Sequence, residues 1–149
     1  MKNKPLGILL IAMLALPTSF AFAYTDDVKT EVEEAWQAAG KVFTPIGIHK
    51  TDEKKKYIES HWMEDEVVRK NHLFKDITSQ AYRRRYRIKV RLTESGENVQ
   101  VRVTGEFEER PKQSPVTAPW RKLKPEMQDY DLERVFFMRI LSQMAKARG

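Results

Sequence analysis

The chain has 149 residues, no cysteine, and 27 lysines and arginines against 21 acids, a formal net charge of +6. Without cysteine there is no disulfide framework, no thiolate metal site and no lipid attachment through sulfur, so stability must come from packing. The positive excess is mild, and its placement along the chain matters more than its size.

Residues 1–23 have the charge order of a cleavable secretory signal. Lys2 and Lys4 make a positive start, and Leu6 to Leu16 is an uncharged apolar run. Pro17-Thr18-Ser19 breaks that run, and Ala21-Phe22-Ala23 supplies the small-x-small pattern of a peptidase site. The run is shorter than the roughly 20 apolar residues of a spanning helix. The expectation is cleavage after Ala23, a mature chain with no transmembrane segment, and a periplasmic or secreted location. Residues 24–149 suit a single α+β domain with one core.

In the first mature segment Val28, Val32, Ala35, Trp36 and Ala39 form one helical stripe. Thr25 is the expected N-cap, with Asp26 and Asp27 in the first turn where the helix dipole favours acids. Gly40 is the expected stop, and Val42 and Phe43 can prolong the stripe by one turn. Pro45 opens a short strand, Ile46 to Lys50. The charged run Thr51–Lys56 then connects it to a second strand, Tyr57 to Trp62, with Ile48, Ile58 and Trp62 facing inward. Residues 63–79 fit no single period and read as an irregular connection with one helical turn.

The strongest pattern is Tyr82–Leu92. Its even positions are mostly aromatic or aliphatic, and its odd positions are all arginine or lysine, which is a strand with one buried and one wet face. A turn at Glu94–Glu97 leads into Asn98–Glu108, where Val99, Val101, Val103 and Phe107 alternate. Pairing Thr93 with Asn98 sets Leu92 against Val99, Val90 against Val101 and Ile88 against Val103. On the wet face it sets Arg85 against Glu106 and Arg83 against Glu108, leaving Arg87, Lys89, Arg91 and Arg102 as a cluster without acids. Gly105 then leaves room for the Tyr86 ring. Four prolines mark residues from about 110 to 127 as a Pro-rich loop carrying Trp120. A last helix, from about Gln128 to Ala147, is capped by Asp129 or Asp131. The predicted architecture is α+β: a four-stranded antiparallel meander with the N-terminal and C-terminal helices packed on one face.

No nucleophile elbow, Walker loop or zinc-protease motif is present, so no catalytic residue and no cofactor is assigned, and a non-enzymatic role is expected. His49 and His61 fall across from each other if residue 55 centres a hairpin. With Glu59 or Asp52 they could hold a metal ion, at a spacing that matches no motif, so no metal is assigned; the rival reading from another class is a small metal-dependent or hydrolytic enzyme using this pair. The basic row admits an ordinary solvated face or recognition of an anion, namely an envelope protein surface, an anionic lipid or lipopolysaccharide phosphate. Nucleic acid is disfavoured, because Tyr82 and Tyr86 fall on the buried face and no aromatic platform accompanies the charge. The candidate contact residues are Arg85, Arg87, Lys89, Arg91 and Arg102. Trp120 is a second candidate, as a partner anchor or a pin for its loop.

Val28…Val32…Ala35-Trp36, Ile58-Glu59-Ser60-His61-Trp62, Tyr86-Arg87-Ile88-Lys89-Val90 and Asp131-Leu132-Glu133…Ile140-Leu141 together resemble one helix-grip module of the BamC-type outer-membrane assembly accessory proteins. That family is anchored through a lipidated cysteine and carries two such modules; this chain has no cysteine and room for one. The resemblance implies a small non-enzymatic module of the cell envelope, acting in outer-membrane biogenesis, with a helix-grip fold.

Overall fold

A computed structural model describes residues 23–73, 76–123 and 131–149. The leader, Phe74, the cap candidate Asp129 and the expected first turn of the last helix lie outside the described residues. In chain order the elements are strand β1 (Ala23–Val28), helix α1 (Val32–Phe43), β2 (Ile48–Asp52), β3 (Tyr57–Ser60), β4 (Met63–Leu73), β5 (Asp76–Ser95), β6 (Asn98–Pro111), β7 (Arg121–Lys122) and helix α2 (Leu132–Arg148).

The strands form one antiparallel sheet of seven, not the four read from the sequence. Its centre is the β5–β6 hairpin, and two shorter strands in tandem share each long edge. β1 and then β7 line β6, while β3 and then β4 line β5, with β2 outside β3. Beyond the pairing of Tyr82 with Pro111, β4 and β5 continue as a two-stranded ribbon.

Residues 23–28 are a strand on β6, so Thr25 caps nothing, and α1 starts at Val32 behind Glu31, whose side chain makes no capping bond. The Asp26-Asp27 pair mimics a helix first turn, and only the long-range partner decides for strand. Residues 63–73 and 76–79 pair with each other instead of forming an irregular connection. No period shows there because a polar pair, Asp65 with Arg84, takes core-facing positions. The central hairpin is shifted by two residues, with Ser95 opposite Asn98 and Leu92 opposite Val101. A shift of two keeps every side chain on its face, so alternation cannot detect it. The turn decides instead: Gly96 at φ 63° begins a two-residue loop, where a positive φ is needed at the first position. Gly105 therefore faces Ile88, not Tyr86.

The core lies between one sheet face and both helices. Ala35, Ala38 and Ala39 let α1 approach the sheet closely, and Phe136, Phe137, Ile140 and Met144 of α2 fill the rest. Phe43 and Phe136 rings meet at 5.9 Å, and Tyr24 of β1 meets Phe137 at 4.8 Å. Burying each such side chain contributes about 1.5–3 kcal/mol relative to exposure. α1 runs through Gly40 to Phe43, the extra turn that Val42 and Phe43 allow. Asp131 caps α2, accepting from the Arg134 amide at 3.3 Å. Two residues expected inside are not: Ile48 is largely exposed, and Trp62 lies on the arginines of the outer face. Among the described residues no helix is long and apolar enough to cross a membrane.

Candidate binding face

Strand period sends Arg85, Arg87, Lys89 and Arg91 of β5 to the face away from the helices. They meet Glu108, Glu106, Thr104 and Arg102 of β6, in that order. Arg85 donates to Glu108 at 2.5 Å. Arg87 bridges Glu106 at 2.5 Å and the buried Glu59 of β3 at 2.6 Å, and Lys89 takes the other Glu106 oxygen at 2.6 Å. Burial alone would raise the Glu106 carboxyl, but the hydrogen bonds from Lys89 and Arg87 hold it below the ordinary carboxylate value. Three of the five candidate cations are thus neutralised, and Arg87 and Lys89 do not belong to a cluster without acids. The corrected register is the cause, because it brings Glu106 opposite Arg87.

Aromatic rings accompany this charge, contrary to the sequence expectation. Trp62, on the link between β3 and β4, lies 4.7 Å from the Arg87 guanidinium and 4.6 Å from that of Arg85. Arg85 also meets Trp120 at 4.6 Å, and Trp120 meets Arg110 at 4.5 Å. The result is an alternating stack, Arg87–Trp62–Arg85–Trp120–Arg110, laid across the strands. Such contacts contribute about 0.5–1 kcal/mol each at exposed sites. Arg110 also donates to the carbonyls of Val116 at 2.5 Å and Ala118 at 3.3 Å. Trp120 therefore pins residues 112–120 to the sheet, and its ring faces are taken by two arginines.

The remaining cations sit nearer the β5–β6 turn. Arg91 and Arg102 are directly opposed across the hairpin, both exposed, and neither reaches a carboxylate among the described residues. They line, with Tyr57, Lys89, Val90 and Thr104, a cavity of about 300 Å³. Lys50 of β2 approaches the Tyr57 ring from the neighbouring strand at 5.9 Å, and Arg91 does so at 5.8 Å. Burial and its 2.5 Å hydrogen bond to Glu59 raise the Tyr57 hydroxyl well above its usual value, so the ring stays neutral between these cations. Arg91 also borders a second cavity, of about 740 Å³, walled by Lys54, Lys55 and Lys56 of the β2–β3 turn. Sequence reading missed Lys50, Tyr57, Thr104 and Trp62. Tyr57 was within reach, since facing Ile58 inward puts its neighbours on the wet face.

His49 and His61 do come together, with rings 5.4 Å apart. Of the two candidate third ligands, Glu59 is already engaged by Tyr57 and Arg87, and Asp52 accepts from the Lys55 amide at 3.1 Å. Among the described residues no group of three metal-binding side chains forms.

No protein-family model and no curated protein matches the chain. Solved structures with a similar course of backbone include a DUF4468 family protein from Bacteroides ovatus, 12% identical over 83% of this chain and 86% of its own, with a TM-score of 0.49. A conserved protein from Geobacillus kaustophilus is 15% identical over 84% and 95%, at 0.38. A TBP-like protein from Parabacteroides distasonis is 11% identical over 85% and 85%, at 0.34.

Proposed function

We propose that this protein is an exported, non-enzymatic binding module of the bacterial cell envelope, a helix-grip domain similar in plan to those of BamC-type accessory proteins, and that it docks an anionic partner on the outer face of its sheet. One observation carries the reading: Arg91 and Arg102 are held opposite each other beside an open cavity, and neither is paired with a carboxylate among the described residues. Like charges directly across a strand pair are destabilising, so this arrangement is understandable where the counter-charge comes from outside. Glu59, Glu106 and Glu108 each take a cation, whereas neither Arg91 nor Arg102 has a carboxylate opposite it in the strand register. A second reading, capture of an anionic lipid or lipopolysaccharide, is favoured by the small size of the cavity.

The test is in-cell crosslinking from a photoreactive residue at Thr104, which lines the cavity while keeping both arginines. A discrete protein adduct, lost in the Arg91→Ser/Arg102→Ser double variant, supports the envelope-partner reading. A lipid or glycolipid adduct supports the second. An adduct pattern indifferent to the double variant rejects the basic face as the contact.

A further inference from the structure

Resting on that reading, we infer that the anion seated at Arg91 and Arg102 is a phosphate ester group. The charge balance points there first. Around Glu59, Glu106 and Glu108, the cations Arg85, Arg87 and Lys89 are matched one for one. Arg91, Arg102 and Lys50 are left over on the same face, gathered around Tyr57. A single carboxylate leaves most of that excess in place, whereas a phosphate monoester brings nearly two charges to one point.

Geometry agrees with charge. Two guanidinium groups on adjacent strands offer planar forks to one anion, the recognition mode in which arginine excels for phosphate. Lys50 is a point charge from a third direction. The cavity of about 300 Å³ is at the small end of ligand sites and takes a head group, not a whole lipid. Arg91 is the shared wall with the lysine-lined cavity of about 740 Å³, which gives the remainder of the ligand a place to lie. Val32, Leu92, Thr93 and Glu94 line the rest of that cavity, so its surface is neither wholly polar nor wholly basic.

The experiment titrates the purified chain, residues 24–149, with inorganic phosphate and with acetate at matched ionic strength, following backbone amide resonances. Saturable shifts at Arg91, Arg102 and Thr104 with phosphate, at least tenfold weaker with acetate and in Arg91→Ser/Arg102→Ser, are expected. Arg102→Gln alone is a second test. It removes one of two opposed like charges and so keeps or raises the melting temperature, while weakening phosphate about tenfold. Sedimentation with phosphatidylcholine vesicles carrying phosphatidic acid separates the sources. Co-sedimentation together with phosphate shifts assigns a lipid-borne phosphate; phosphate shifts without co-sedimentation assign a soluble phosphorylated ligand. Equal responses to phosphate and acetate, or none to either, overturn the inference. If the arginine-dependent Thr104 crosslink to protein survives that result, the docking face stands and its partner is a carboxylate-bearing surface. If the crosslink is lost as well, both readings fall.

Discussion

At Glu133 two electrostatic effects oppose each other. It lies in the first turn of α2, where the helix dipole favours a carboxylate by about 0.3–1 kcal/mol. It is also only 4% exposed, pressed over Gly105, with Oε1 lacking any hydrogen-bond partner. Burial wins, and the carboxyl is raised above the ordinary glutamate value. A raised acid favours folding most while protonated, so its contribution is fully present below the unfolded value of 4.5 and lost as pH rises through the folded value. Glu133→Gln is therefore expected to stabilise the protein at neutral pH. The advantage shrinks to nothing as the medium is acidified below 4.5. Urea unfolding of both forms across that range checks it; a constant difference would mean that the side chain acts through shape and not charge.

Among the elements, the Pro-rich segment depends most on one side chain. Residues 112–120 have few backbone hydrogen bonds of their own, such as Ala118 to Pro115. The Trp120 ring, between Arg85 and Arg110, ties them down. Trp120→Ala should cost about 1–2 kcal/mol and speed hydrogen exchange across 112–120 while leaving the β5–β6 centre protected. Uniformly faster exchange would instead make Trp120 part of the global core. The same comparison shows what was legible. The β5–β6 hairpin, the stripe of α1 and the contact of His49 with His61 are visible in the sequence, because each follows from local periodicity or a short turn. β1 and β4 are not, because Asp26-Asp27 imitates a helix start and Asp65 pairs with Arg84 where an apolar residue is expected. The arginine–tryptophan stack was invisible for another reason. It joins Trp62, Arg85, Arg110 and Trp120, which lie far apart in sequence and meet only once β4 is recognised as a strand beside β5. Of the candidate contacts, Arg91 and Arg102 kept their free charge. Arg85 has an acid opposite it in either register, and Arg87 and Lys89 gain Glu106 because the hairpin register differs by two.

Across the whole molecule, the end of α2 is tied back to the start of α1 by an ion pair. Arg148, at the end of α2, donates to Glu34 of α1 at 2.6 and 2.9 Å, and Thr30 adds a bond at 2.7 Å. The Arg148 hydrogen bonds come first among the causes that lower Glu34 from 4.5 to about 2. A depressed acid contributes stability that is present above its unfolded value, so the tie holds above pH 4.5 and is lost as pH falls through about 2. A carboxyl titration by NMR should place Glu34 near 2 in the native chain and return it toward 4.5 in Arg148→Gln. An unchanged Glu34 would show that the contact is not kept in solution.

The pairing of β1 with β6 sets a clock as well as a shape. The hairpin of β5 and β6 forms from neighbours through a two-residue turn, but β1 must wait for a strand that comes late in the chain. A polypeptide leaving a ribosome or threading a translocation pore from its N-terminus therefore holds its first strand unpaired until β6 has followed. Tyr24 meets Phe137 later still, once α2 has followed β6. β1 thus joins the sheet only after chain about 70 residues further on is in place, although it precedes every other strand in sequence.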